Sequence, residues 1–164
     1  MFTVKKQRVT LKTGRVGLIS DTHGLLRPEA LAALQGSELI IHAGDIGKPE
    51  VLASLKSVAP VLAIRGNNDR EPWAKKIPDI LHLHVNGVCL FIIHNVNDLE
   101  VDPAAKGFHA VISGHSHKPS LTNSDGVIFL NPGSAGPRRF KLPVALAQLR
   151  IQREIVNAQI VELL

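Results

Sequence analysis

The chain has no tyrosine, one tryptophan, one cysteine and one methionine, and only 4% of its 164 residues are aromatic. A core built with so few rings has to be filled by Val, Ile, Leu and Ala. One cysteine, Cys89, cannot close an internal disulfide, which excludes a disulfide-stapled scaffold. A lone thiol suits a reducing compartment, and a cytoplasmic location is expected. No apolar run approaches the roughly 20 residues of a membrane-spanning helix, so no membrane partner is expected. The basic N-terminus also lacks the apolar stretch of a secretory signal. Acid is absent before Asp21, whereas Lys5, Lys6, Arg8, Lys12 and Arg15 crowd the start of a chain with net charge +5. These bases are not interleaved with aromatics as a base-stacking surface requires. They read as a solvated edge strand kept soluble by charge, and nucleic acid is not the favoured partner. Repeats, low-complexity segments and linkers are absent too, so residues 1–164 are expected to form a single domain.

What is present is an alternation of short apolar runs and helix-like stretches. Val16–Ile19, Leu39–His42 and Val61–Ile64 read as buried strands. Pro28–Gln35 and Pro49–Val58 each begin with Pro then Glu, which suits a first helical turn. Strand and helix alternation implies βαβ units and a parallel sheet. After residue 66 the pattern changes. Leu81–Val85 and Val88–Ile93 flank Asn86-Gly87, a strong two-residue hairpin signal. Ala110–Ile112 and Val127–Leu130 are further short strands, and the chain from Leu142 onward reads as two strands turning near Gln152, with a helix as the alternative that periodicity alone leaves open. A βαβαβ half followed by a mostly β half suggests two sheets packed face to face with helices outside.

The chemistry lies at the ends of these runs. Val16–Ile19 leads into Asp21 and His23, Leu39–Ile41 into His42, Gly44 and Asp45, and Val61–Ile64 into Gly66, Asn67, Asn68 and Asp69. Val88–Ile93 leads into His94, and Ala110–Ile112 into Gly114, His115 and His117. Strand C-termini are where open α/β sheets bind ligands. Asp21-x-His23 and His115-x-His117 share i, i+2 spacing, which on an extended chain puts both side chains on one side, about 6.5 Å apart. His82 and His84 share it as well, but they sit in mid-strand and are expected on the solvent face of the hairpin. Seven potential ligands (Asp21, His23, Asp45, Asn67, His94, His115, His117) are more than one ion needs. Imidazole mixed with carboxylate, without thiolate, suits Mn, Fe, Zn or Ni rather than Ca or Mg. Two ions less two carboxylates leave a charge of about +2, which would attract a phosphate ester, and ions roughly 3.5–4 Å apart can stabilise both attacking and leaving oxygens.

These motifs in this order resemble the calcineurin-like metallophosphoesterases over about residues 15 to 140. The small size and Asn131-Pro132-Gly133-Ser134 are similar to the compact bacterial and archaeal YfcE-type phosphodiesterases. The resemblance implies a four-layer α/β/β/α sandwich of two mixed sheets with helices outside. It also implies a two-metal centre, most simply with Mn²⁺ and with Zn²⁺, Fe²⁺ or Ni²⁺ as alternatives. Carried over by motif, Asp21, His23 and His117 would hold one ion, and Asn67, His94 and His115 the other. Asp45 would bridge them, with a hydroxide shared between the ions as nucleophile.

Two positions depart from the family pattern. Many members have His where this chain has Asn68, at the place thought to protonate the leaving oxygen, and Asn is no acid. The expected activity is therefore a phosphodiesterase preferring good leaving groups. The family usually has Gly where this chain has Asn95, which would then be forced to positive φ. Arg138 and Arg139 are candidates for clamping the substrate phosphate, beside Asn67. Arg65 reads as packing or an ion pair, Trp73 as a pocket wall or an ordinary partly buried ring, and His42 as a core or supporting residue. His109 receives no role. The expected substrate is a small phosphodiester or nucleotide-like molecule, and the sequence leaves homo-oligomerisation open. The competing readings are a non-catalytic interaction scaffold of the same fold, as in a retromer subunit, and a small nuclease.

Overall fold

The computed structural model describes residues 1–164. Eleven strands form two sheets. Arg15–Ile19 (β2), Leu39–His42 (β3) and Val61–Ala63 (β4) are parallel neighbours, joined by helices Pro28–Ala33 (α1) and Pro49–Lys56 (α2). Ala145–Gln152 (β10) and Ile155–Glu162 (β11) extend this sheet antiparallel on the β2 side, giving the order β11-β10-β2-β3-β4. The strands of the second sheet are Val4–Val9 (β1), Ile80–Val85 (β5), Val88–Ile93 (β6), Ala110–Ile112 (β7), Ser120–Ser124 (β8) and Val127–Asn131 (β9). They are ordered β1-β5-β6-β7-β9-β8.

The two sheets are mixed and meet face to face. Val16, Leu18, Leu39 and Ile41 of one pack with Leu83, Leu90, Ile92 and Ile112 of the other. On the far side of the five-stranded sheet, Ile19, Ile40 and Leu146 pack under Ala30, Leu34, Val51 and Leu55 of the helical segments. Gly17 makes this contact close: a β-carbon there would lie 2.4 Å from Leu34 Cδ2. The outward face of the six-stranded sheet carries Ile80, Phe91, Ile93, Val111 and Val127. It has no α-helix over it; the segment after β6 contains only a 3₁₀ turn, Val96–Asp98.

The basic N-terminal segment does form an edge strand, β1, paired on one side only, with β5. Asn86-Gly87 makes the expected hairpin, with φ of 48° and 81° at its two turn residues, the signature of a type I′ turn. His82 and His84 lie on the outward face of the hairpin, as expected, but are half-buried there, and the His82 ring packs 4.8 Å from Phe91 and 5.1 Å from Phe108. One expectation is corrected. Asn95 has φ −114°, not a positive value, because its side chain instead accepts a hydrogen bond from the Asn97 N–H and starts the 3₁₀ turn.

Candidate metal centre

Five of the expected ligands sit in left-handed backbone: Asp21 (φ 55°), His23 (46°), Asp45 (55°), His115 (72°) and His117 (64°). The two i, i+2 pairs are thus brought together by tight turns past the strand ends, not by an extended chain. Each such residue costs on the order of 1 kcal/mol and survives only where its surroundings hold it. Here backbone bonds between loops do so. Asp21 N–H donates to Gly44 C=O at 3.0 Å, His23 N–H to Asp45 C=O at 2.9 Å and Gly114 N–H to His94 C=O at 2.9 Å.

The glycines of the motifs make room for carboxylates belonging to other loops. A β-carbon on Gly66 would lie 2.1 Å from Asp45 Oδ1, and one on Gly114 would lie 2.5 Å from Asp21 Oδ2.

Asp21 is fully buried. Its Oδ2 accepts from Ser20 Oγ–H at 2.7 Å and from His115 N–H at 3.0 Å. Its Oδ1 is buried without a hydrogen-bond partner, and lies 3.4 Å from His117 Nε2, 3.8 Å from His94 Nε2 and 3.9 Å from His23 Nε2. Asp45 Oδ2 lies 3.3 Å from His94 Nε2 and 3.7 Å from His23 Nε2. Asp45 also accepts from Asn68, N–H to Oδ1 at 3.0 Å and Nδ2–H to Oδ2 at 3.1 Å. Burial pushes both carboxyls up, but the facing imidazoles and donated hydrogen bonds outweigh it. Asp45 is held down at about 2 and Asp21 below its ordinary value. His94 shows the converse. Burial lowers its pKa, and contact with Asp45 and the charge of Asp21 more than compensate, so it lies above the ordinary value.

His94 Nδ1 lies 2.7 Å from the Ala43 carbonyl oxygen, which can only accept, so Nδ1 carries a proton. In the neutral ring Nε2 then presents a lone pair to two carboxylates. Lone pairs converging on one buried point are an arrangement that a cation satisfies. Two overlapping groups have this geometry, Asp21-His23-His117 and Asp21-Asp45-His94, each with ligand atoms within 4.8 Å of one another. Asn67 and His115 are exposed beside them. Asn67 Oδ1 lies 3.2 Å from His115 Nδ1, and the His115 ring is 5.3 Å from that of His94.

Comparison with known families matches residues 15–154 to the calcineurin-like phosphoesterase superfamily domain. The chain belongs to this superfamily. Among its relatives, a probable metallophosphoesterase of Methanothermobacter thermautotrophicus is 33% identical over 158 residues, covering 89% of this chain and 91% of that protein. A phosphodiesterase of Methanocaldococcus jannaschii is 29% identical over 138 residues, covering 73% and 82%. Among solved structures, an archaeal phosphodiesterase superposes with TM-score 0.75 at 24% identity, covering 90% of this chain and 99% of that one. The zinc complex of Vps29 from Entamoeba histolytica superposes with TM-score 0.72 at 18% identity, covering 92% and 97%. These two likenesses concern the fold.

The donor set fits the metal dependence of the superfamily. Buried carboxylate and imidazole atoms lack protein partners, and no thiolate is near. Around the site, Asp69 and the Asn131–Ser134 segment take roles that the sequence left unassigned, whereas His42 takes the supporting role expected of it. Asp69, buried, accepts three backbone N–H bonds: Ile46 and Gly66 to Oδ2 at 3.0 Å each, and Gly47 to Oδ1 at 3.1 Å. It ties the loop of Asp45 to that of Asn67. Its place in the Gly-Asn-Asn-Asp run was the available signal. His42 is a supporting core residue: its Nδ1 accepts from Gly44 N–H at 3.1 Å and its Nε2 faces Thr22 Oγ1 at 3.0 Å. Asn131 Nδ2–H donates to Gly114 C=O at 2.8 Å, and Ser134 Oγ–H to Asp21 C=O at 2.9 Å. The Asn-Pro-Gly-Ser segment therefore buttresses two ligand loops.

The remaining candidates are not members of the two ligand groups. Arg138 and Arg139 are exposed, and Arg138 donates to Leu164 C=O at 3.2 Å. Arg65 pairs with Asp79 at 3.0 Å, and the pair lines a cavity that Asn67, His94 and His115 also wall. Trp73 packs on the core beneath the helices and donates to Glu71 Oε2 at 3.2 Å. His109 Nδ1 accepts from Cys89 N–H at 2.9 Å, joining β6 to the start of β7. No helix is long and apolar enough to cross a membrane.

Proposed function

We propose that this protein is a metal-dependent phosphodiesterase acting on small phosphodiesters at a centre for two divalent ions. The observation that carries the reading is the pair of orphaned buried atoms, Asp21 Oδ1 and His94 Nε2, 3.8 Å apart. Asp45 Oδ2 lies within 4 Å of the imidazoles of both His94 and His23. Asp21, His23 and His117 would hold one ion, Asn67, His94 and His115 the other, and Asp45 would reach both. Mn²⁺ is the favoured ion, on the mixture of imidazole and oxygen donors. When bound, the ions supply positive charge for the phosphate and a water of lowered pKa.

The chain's own groups supply the rest. Ser20 and the His115 N–H hold the Asp21 carboxylate in one rotamer, and both donors of Asn68 hold that of Asp45. Ala43 keeps Nε2 of His94 aimed inward. Fixing donors this way lowers the reorganisation cost of the site. Asn68 contributes no proton, which favours substrates whose leaving oxygen departs without one.

The test is hydrolysis of bis(p-nitrophenyl) phosphate and p-nitrophenyl phosphate by purified protein with and without added Mn²⁺. Expected is Mn²⁺-dependent cleavage of the diester, lost in Asp45→Ala. Metal binding without hydrolysis of either ester would contradict the reading and favour a scaffold.

A further inference from the structure

The outward face of the six-stranded sheet is uncovered by helix, and it is not flat. Phe2, Val4, Ile80, Phe91, Ile93 and Phe108 line an open trough of about 440 Å³, a volume within the range of small-ligand sites. Phe2 and Val4 are 50% and 49% exposed. Phe91 and Phe108 meet edge to face with ring centres 5.1 Å apart, and His82 packs against both. Burial first, then the nearby charge of Lys6, keep His82 below its ordinary pKa, so it is a neutral wall at pH 7. Lys6 and Lys106 on the rim are offset by Asp98 and Glu100, which leaves no net charge to draw an ionic group.

This trough adjoins the candidate centre. Phe2, Ile93 and Asp98 also line a smaller cavity of about 120 Å³ whose other walls include Asn67, His94 and His115. Ile93 and His94 are consecutive: Ile93 belongs to the outward apolar cluster, whereas His94 reaches the buried carboxylates. A phosphate near His94 and His115 would therefore have one ester arm beside Ile93 and Phe2, with the trough directly beyond.

We propose that the trough is the subsite for an apolar ester arm, alkyl or aryl, so that the protein selects phosphodiesters carrying one such group. This rests on the phosphodiesterase reading above and adds the substrate class to it.

The experiment is a series of p-nitrophenyl alkyl phosphates, methyl to octyl, with a benzyl member, assayed with Mn²⁺. Nitrophenolate leaves from every member, so differences report the other arm. Full burial of a methylene is worth a factor of about four, and an open trough gives less. The expected rise in kcat/KM is about twofold per methylene over the first several carbons, and the benzyl member's rank against hexyl separates aromatic from aliphatic preference. In Phe2→Ser with Val4→Ser, both exposed positions, the octyl-to-methyl ratio should fall about tenfold. A flat series, or a steep one unchanged in the double variant, overturns the subsite while leaving the phosphodiesterase reading in place. No cleavage of any member overturns that reading itself. Octyl phosphate added to the metal-free protein provides a readout independent of turnover. NMR shifts of the Phe91 and Phe108 rings are expected, and their absence at millimolar concentration overturns the subsite.

Discussion

Gly66 and Asp45 stand so close that a β-carbon on Gly66 would lie 2.1 Å from Asp45 Oδ1. Real β-carbons do not approach an oxygen to this distance, so one partner has to move. The Asp45 carboxylate is held by Asn68 and faces His94 and His23, so its displacement disturbs both ligand groups. Gly66→Ala should weaken Mn²⁺ binding at least about tenfold in a calorimetric titration, and should lower stability by about 1–3 kcal/mol through overpacking. Wild-type affinity in this variant would show that Asp45 is not a ligand.

Asp69 leaves a different signature. Its carboxylate satisfies the N–H groups of Ile46, Gly47 and Gly66 without touching the imidazoles of the site. Asp69→Ala strands the buried Ile46 donor and the partly buried Gly47 and Gly66 donors, at roughly 1–3 kcal/mol for each that finds no water. At about 2–4 °C per kcal/mol for a domain of this size, the melting temperature of the metal-free protein should fall by about 10 °C. Asp69→Asn keeps one accepting oxygen and should fall by less. Equal melting of all three proteins would contradict the role given to Asp69.

His42 makes stability depend on pH. It is completely buried, and burial, opposed by Asp21 and Asp69, lowers its pKa from 6.5 to about 4. Between those values the unfolded chain binds a proton that the folded chain does not. The contribution is therefore fully present above about pH 6.5 and is lost as pH falls toward 4, by roughly 3 kcal/mol. His42→Asn retains an acceptor for the Gly44 N–H and does not titrate. Urea unfolding in chelator at pH 7, 5.5 and 4.5 should show a steeper acid decline in the wild type than in the variant. Parallel declines would contradict the assignment.

Asn68 couples the departure from the family pattern to the structure. Its backbone N–H bond to Asp45 does not depend on the side chain, so Asn68→His can place a titrating imidazole there without losing the main anchor of Asp45. The rate on alkyl esters should rise about tenfold or more relative to aryl esters, giving a shallower dependence on leaving-group pKa. An unchanged slope would show that leaving-group protonation does not limit the rate.

Much of this architecture could be read along the chain, for reasons that particular residues make clear. Apolar runs such as Val16–Ile19 and Leu39–His42 are buried on both faces, and hydrophobic runs report such strands directly. The ligand-bearing segments follow them at once, so the converging loops were visible as well. β8 was not, because Ser120–Ser124 is exposed throughout. Only Asp125-Gly126, with φ of 53° and 80°, marked its hairpin. The left-handed turns at Asp21 and His23 were hidden too, since i, i+2 spacing is equally compatible with extended chain. The half-burial of His82 was not legible, because alternation reveals which residues share a face, not what covers that face. Asp69 carried no metal-facing geometry in sequence; its three backbone partners exist only once β3 and β4 lie side by side.

The proposed function requires Asp21 and Asp45, with the imidazoles around them, to hold two divalent ions close together. Electron paramagnetic resonance of the protein titrated with Mn²⁺ reads this pairing. The expected result is two ions bound per chain with the multiline spectrum of an exchange-coupled pair, lost in Asp45→Ala. Saturation at one ion per chain, or the six-line spectrum of isolated Mn²⁺ at full loading, would contradict it.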